Sequence, residues 1–571
     1  MRRLNLEELK AISQPPNEGL TDWLSRAEDG VEFLKAMVQG DEILLYVNAP
    51  AVLIHGVLAP ISQVTPPEPD DLLGSFIQLD DCWKIQRSYG GGEGHRVYLE
   101  PPFCSQSCKS LVGGEKLIYQ RKFHGVHDGP APVELSQKLV HSLDLHFMPE
   151  RNAFCRLDKR GDIEDVIRIV RPELSADKGG FIAVMILAKD LSTYMALSGT
   201  ALVYRFDFTR FMLGNFSGWN DETLHDQRHS DLFYNASVVA GHASYANGCM
   251  IVRPTRTIDD IVMEWREEIE PQNREYATFK IFNRKNNVEI ETSCAPECLS
   301  NYFQQSDLPW EISPAFFRPD VLHRFKADPE KYTLDDRSIT CRGAWHLKTY
   351  DINEAGQVHT YIGYLANLPI EEQRYWQAFN EWPRGPISKR AHESDILGEW
   401  SSSYDPLNAI KSKVRTLDRN APEWWKVRGD VLSEAARYPA TDSVSEWANE
   451  ILALDQLLVE GFLVKPIKAL ATAAGAAIET NWGSLKVLEE YMVAIGRSPE
   501  EAKNIVAPLR KLHALRSHTK GHGAVSERRN QERAARSKFG TLRAHFTALA
   551  AECEAAFQNI LVALNSSTPQ P

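Results

Sequence analysis

Arg516 stands six residues before His522 in the stretch LRKLHALRSHTKGHG (509–523), with His518 between them. An imidazole titrates near neutral pH and can take up and return a proton, while a guanidinium grips a phosphate through paired donors. Together they supply what cleavage of RNA by its own 2′-hydroxyl requires without metal: His522 to move the proton, Arg516 to steady the phosphorane, and His518 placed to assist. Lys511, Lys520, Arg528 and Arg529 are the candidate RNA-binding cations around them. The spacing is not selective by itself, because Arg121–His127 repeats it and Arg318–His323 falls one residue short of it, both in a β-rich region. The surrounding charge is more selective. From Lys503 to Arg543 eleven Lys and Arg oppose two Glu, a local +9 inside a chain of formal charge −13. The total favours solubility and speaks against a general nucleic-acid coat, whereas the local reversal marks a phosphate-facing segment.

Other residue groups invite chemistry less strongly. Cys104/Cys108 and Cys294/Cys298 have the spacing of zinc knuckles, and two such pairs make a four-thiolate site. They lie nearly two hundred residues apart without the usual glycine-bearing turns, so buried or loop thiols are the expectation. His225 and His229, at i and i+4, would share a helix face and could hold a metal, but they lack the glutamate base of a metalloprotease helix and read rather as exposed polar residues. His124 and His127 raise the same idea with poorer geometry. Gly90–Gly94 has no following Lys-Ser/Thr, so it is a turn and not a phosphate loop. No metal and no cofactor are expected.

These residues need a scaffold, and the hydrophobic pattern describes one in two styles. Up to about residue 385 it predicts an α+β, hairpin-rich body of one or two subdomains. Ser75–Glu100 flanks Gly90–Gly92, Tyr276–Phe282 and Val288–Thr292 bracket Asn286-Asn287, and Trp345–Ile352 and Val358–Leu365 bracket Asn353–Gln357. Phe181–Leu187 and Thr200–Phe208 read as buried strands. Residues 386–403, polar and containing Pro and Ser, read as a linker, and 404–571 as an all-helical bundle. Ser443 or Asp442 caps a helix striped by Val444, Trp447, Ile451, Leu454 and Leu458. Ser498-Pro499-Glu500-Glu501 is a capping box, and Pro508 predicts a break in the helix it starts. Phe539, Leu542, Phe546, Leu549, Cys553, Phe557, Ile560 and Leu564 stripe one last helix that needs either a bundle core or a second copy.

The basic bend between capped helices resembles the HEPN superfamily, helical bundles that carry an Arg-(four to six residues)-His motif and include many metal-independent ribonucleases of toxin and antiviral systems. The resemblance covers about 442–565. It implies an endoribonuclease effector with Arg516, His522 and His518 in its site, RNA as partner, and a homodimer through the C-terminal helices in which two motifs face one composite site. The 1–385 body would then serve as sensor or targeting region. The alternative is an interaction protein whose basic module binds RNA or a protein without cutting. Nine scattered cysteines, an N-terminus lacking an export-type apolar core, and apolar runs no longer than Phe181–Ala188 predict a cytoplasmic chain that does not enter a membrane.

Overall fold

A computed structural model describes the chain except residues 1–5, 17–18, 68–81, 90–93, 101, 103–112, 122, 124–125, 127–131, 172–180, 213, 215, 220–224, 270–273, 400–403, 521–524 and 566–571. The chain forms two compact units, the first of residues 1–158 and 162–274 and the second of 159–161 and 275–571.

The first unit is built on an eleven-stranded sheet. Its order is His225–Arg228, Leu232–Val239, Ala243–Val252, Thr200–Phe211, Val52–Pro60, Glu42–Ala49, Ile182–Leu187, Ile163–Val170, Ala153–Leu157 and His146–Met148, with Glu115–Lys116 added against Val52–Pro60. Every pairing is antiparallel. Ile182–Leu187 is buried at all six positions, as an uninterrupted β-branched and aliphatic run requires of a central strand. The residues that follow it form a helix, Ala188–Ser198. Lys84–Ser88 pairs with Arg96–Glu100 as a separate hairpin whose glycine tip lies outside the described residues.

The second unit joins a smaller sheet to the helices. Val288–Ser293, Thr278–Asn283, Pro314–Phe317, Val358–Tyr361 and Asp351–Ile352 follow one another in that sheet. Asn287, at φ +54°, turns the first hairpin, which is why an Asn-Asn pair stands there. Ile362–Leu365 is not a strand end but a short helix. Phe279, Phe317, Phe325 and Trp376 fill this core.

The helices are α1 (Pro406–Asn420), α2 (Gly429–Ala435), α3 (Val444–Leu458), α4 (Val464–Ala473), α5 (Ser484–Ala494), α6 (Pro499–Lys520), α7 (Val525–Phe539) and α8 (Leu542–Asn565). Ser443 caps α3 through its hydroxyl, which accepts from the Glu446 amide, and Trp447, Ile451, Leu454 and Leu458 are fully buried. The capping box forms in full: Ser498 Oγ accepts from the Glu501 amide at 3.2 Å, and Glu501 Oε2 accepts from the Ser498 amide at 3.1 Å. The expected break at Pro508 is absent, because α6 runs through it. One lost intrahelical bond is offset by burial of Val506, Leu509 and Leu512 in the bundle core. The single last helix is in fact two. Gly540, at φ +78°, adopts the left-handed backbone that ends α7 after Phe539 and releases α8.

The 386–403 segment is partly packed over its described part: Ser388 and Ala391 are buried, while Pro386, Lys389, His392, Asp395 and Leu397 to Glu399 are exposed. Ser388 is buried, its amide donates to His359 Nε2 at 3.0 Å and its hydroxyl to Asp351 at 2.7 Å, and Arg390 donates twice to Asp351 at 3.0 and 2.9 Å. These polar residues have protein partners, which composition alone reads as solvent partners. The helices are also continuous with part of the β-rich body. Lys326 donates to Glu446 at 2.6 Å and is also held by Glu450, and Arg437 donates to the Leu334 carbonyl at 2.7 Å. The two compact units meet near Arg274, and residues 275–385 belong to the same unit as the helices. Among the described residues no helix is long and apolar enough to cross a membrane.

Two buried histidines of the second unit contribute to its acid sensitivity. His359, 1% exposed, accepts from Ser388, and His545, 6% exposed, accepts at Nδ1 from Trp447 Nε1 at 3.2 Å; burial depresses both to about 4. An unfolded chain takes up protons at these sites below about pH 6.5 while the folded chain does so only near 4, so stability is full above 6.5 and is lost as pH falls from there. Each can cost roughly 3 kcal/mol at the acid end. Thermal melting of the chain should therefore drop steeply between pH 6.5 and 4, and His545→Gln should flatten that slope; an unchanged slope would refute this assignment.

Candidate functional site

The last two turns of α6 divide into three faces. Leu512, Leu515 and Thr519 are buried in the bundle. His513 and Arg516, three residues apart, flank that face on one side, while Lys511, Ala514 and His518 flank it on the other. Residues two apart on a helix point in opposed directions, so His518 is not brought together with Arg516.

On the first flank lies a carboxylate from α3. Asp455 is completely buried, one turn before the helix ends, and its Oδ1 is 3.1 Å from His513 Nδ1 and its Oδ2 is 3.7 Å from Arg516 Nε. Arg516 Nη2 also donates to Glu460 Oε1 at 3.2 Å, just beyond α3. Burial pushes the Asp455 carboxyl up, and His513 and Arg516 pull it back. With its proton on Nδ1, His513 donates to Asp455 and is left with Nε2 as a bare acceptor on a side chain 46% exposed. A buried acid thus orients an imidazole, and a guanidinium is held beside it, an arrangement able to take a proton and hold a phosphate oxygen.

Neither Asp455 nor His513 was marked by the spacing that singled out Arg516. The available signal was His513-x-x-Arg516 on one helix face. His522 lies outside the described residues, as do Gly521 and Gly523, and of Lys520 only the backbone, at the end of α6, is described.

On the second flank His518 Nδ1 is 3.3 Å from Glu527 Oε2, and His518 lines a cavity of about 280 Å³ with Lys511, Lys538 and His545. Lys511 pairs with Glu552 at 2.8 Å. Arg510 pairs with Glu489, and Arg536 with Asp442 and Glu532. Arg528 and Arg529 on α7 have no carboxylate partner among the described residues, unlike Lys511.

The remaining candidates separate. His225 sits on a strand, His225–Arg228, and His229 lies just past its end, so the two do not share a helix face. Cys294 is buried with its thiol 3.2 Å from Gln373 Oε1, whereas Cys104, Cys108, His124 and His127 lie outside the described residues. Among the described residues no group of three His, Cys, Asp or Glu is placed to hold a metal. No protein-family model, no curated protein and no solved structure matches the chain.

Proposed function

We propose that the helical part is a HEPN-like module that cleaves RNA without metal, with Arg516 holding the scissile phosphate and His522 transferring protons. The observation that supports it is the Asp455–His513–Arg516 cluster on the α6 flank six residues before His522. In this reading Asp455 and Glu460 keep Arg516 in one orientation, His513 is a second proton acceptor, and Arg528 and Arg529 bind the RNA backbone. His518 is assigned a place outside the reacting pair because its ring lies on the opposite flank. A composite site from two copies would have to pair through surfaces other than the α8 stripe, whose Phe546, Leu549, Phe557 and Ile560 are at most 1% exposed within one chain. The first unit is the candidate sensor.

One observation favours a second reading. Much of the basic stretch is answered by carboxylates of neighbouring helices, Glu489, Glu552, Glu460 and Asp442 among them, as in a structural network or a docking module that does not cut. Incubating the full chain with total RNA, with and without EDTA, separates the two. Cutting that persists in EDTA and leaves 2′,3′-cyclic phosphate ends supports the nuclease. Binding without cutting supports the second reading, and cutting abolished by EDTA refutes the metal-independent site.

A further inference from the structure

The smaller sheet of the second unit buries one face in its core and borders a cavity on the other. Ile281, Ala315 and Phe317 lie in the core, and Ile281 stands opposite Ala315. The residues that alternate with them, Phe282, Pro314 and Phe316, therefore point the other way. Pro383, Pro386 and Ile387, from the segment after Glu381, complete the walls around these rings and enclose a cavity of about 420 Å³. Its size and apolar walls are those of a small-molecule pocket.

One carboxylate and one guanidinium line the cavity, together with the exposed His392. Glu289 pairs with Phe282 across the hairpin and shares its face, while Arg284 enters from the turn after Asn283. Among the described residues neither charge forms an ion pair, with the other or with any third group. Arg284 Nη1 is shut off from solvent and has no hydrogen-bond acceptor in the protein. A buried donor in that state carries a free-energy cost until an acceptor reaches it. Glu289, by contrast, is exposed. The cavity thus has an apolar wall, an inner cation that lacks an acceptor and an outer anion that lacks a cation.

We propose that this cavity binds a free α-amino acid with an aromatic or branched aliphatic side chain. The ligand carboxylate accepts from the Arg284 guanidinium, whose two-donor fork matches it, and the ligand ammonium faces Glu289. The ligand side chain lies against Phe282, Phe316 and Pro386. The charge balance decides the class. A phosphate or nucleotide would set two or more negative charges beside Glu289 against one guanidinium, and a purely apolar molecule would leave the buried Arg284 donor unmet. A zwitterion with an apolar body answers the cation, the anion and the walls together. Because such a ligand bridges the sheet and residues 383–387, occupancy stabilises the folded chain. The site shares no residue with the Asp455–His513–Arg516 cluster and does not depend on RNA cleavage there.

The test is calorimetric titration of the full chain with L-phenylalanine and L-leucine, beside phenylpropionate, phenethylamine and glycine, which lack in turn the ammonium, the carboxylate and the side chain. At least one of the two amino acids should bind at millimolar concentration and raise the melting temperature, and each truncated compound should bind about tenfold more weakly or worse. Arg284→Gln and Glu289→Gln should each weaken binding by about tenfold or more, the loss of one charge-assisted contact. Neither side chain has an ion pair to lose, so both variants should melt like the parent without ligand. Lys465→Gln, an exposed change on α4, should leave binding unaltered. The comparison among ligands uses the parent chain alone and holds even where a variant melts lower. Failure of both amino acids to bind at millimolar concentration overturns the site, and so does binding that either variant leaves unchanged. Phenylpropionate or phenethylamine binding as tightly as phenylalanine overturns the amino-acid class.

Discussion

His522→Ala is expected to lower RNA cleavage by roughly two to four orders of magnitude, the usual worth of a positioned proton-transfer group. Arg516→Ala should cost a comparable factor by removing the cation that meets the developing phosphorane charge. Arg516→Lys should not restore it fully, because a point charge cannot reproduce the two-donor fork. The arginine variant carries a confound that the structure identifies. Asp455 is fully buried, and without Arg516 its carboxylate relies on His513 alone, a loss of roughly 1–3 kcal/mol of stability. Melting temperature must therefore be measured beside activity, and Arg516→Lys, which keeps the charge, is the cleaner comparison. His513→Gln separates two roles: a large fall in rate with an unchanged melt makes His513 a proton acceptor, and a fall in both makes it only the partner of Asp455. Wild-type protein that cuts no RNA in cells or with its trigger, or His522→Ala cutting as well as wild type, sinks the nuclease reading.

The features that could be read from the sequence are those whose causes lie within one or two turns. The Ser498 box, the Ser443 cap and the α3 stripe depend on residues three or four apart, and each forms. The hairpin at Asn287 depends on one left-handed residue. What escaped depends on distant partners. Helical spacing from Ile451 and Leu458 puts Asp455 beside the buried stripe, but nothing in WANEILALDQLL names its partners, His513 and Arg516 some sixty residues later. The 386–399 stretch looks solvated until Asp351 and His359 arrive from another element to bond Ser388 and Arg390. His225/His229 reads with a helical period, yet His225 lies on an edge strand that ends at Arg228: a short polar strand carries no apolar rhythm to decide between helix and strand. The stripe after Phe539 has helical spacing throughout, and only the left-handed Gly540 reveals that two helices share it.

That stripe supports the second large effect. Phe546→Asp together with Phe557→Asp should unfold the helical part and not merely dissociate a dimer. Both rings are fully buried within one chain, Phe546 edge-on to Tyr438 at 5.9 Å, and Phe557 against Trp425 and Phe462 at 5.7 and 6.0 Å. Truncating a buried phenylalanine costs about 3–5 kcal/mol, and a carboxylate left in its place adds desolvation. The two sites lie three helical turns apart and touch different neighbours, so their costs should nearly add. The sum then rivals the whole stability of a domain, about 5–15 kcal/mol. Helical circular dichroism and the cooperative melt of this part should be lost, while Phe557→Leu, which keeps most of the volume, should cost only about 1 kcal/mol. A double variant that stays folded but changes from dimer to monomer would mean that α8 presents these rings to a second copy, and the internal core described here would be wrong.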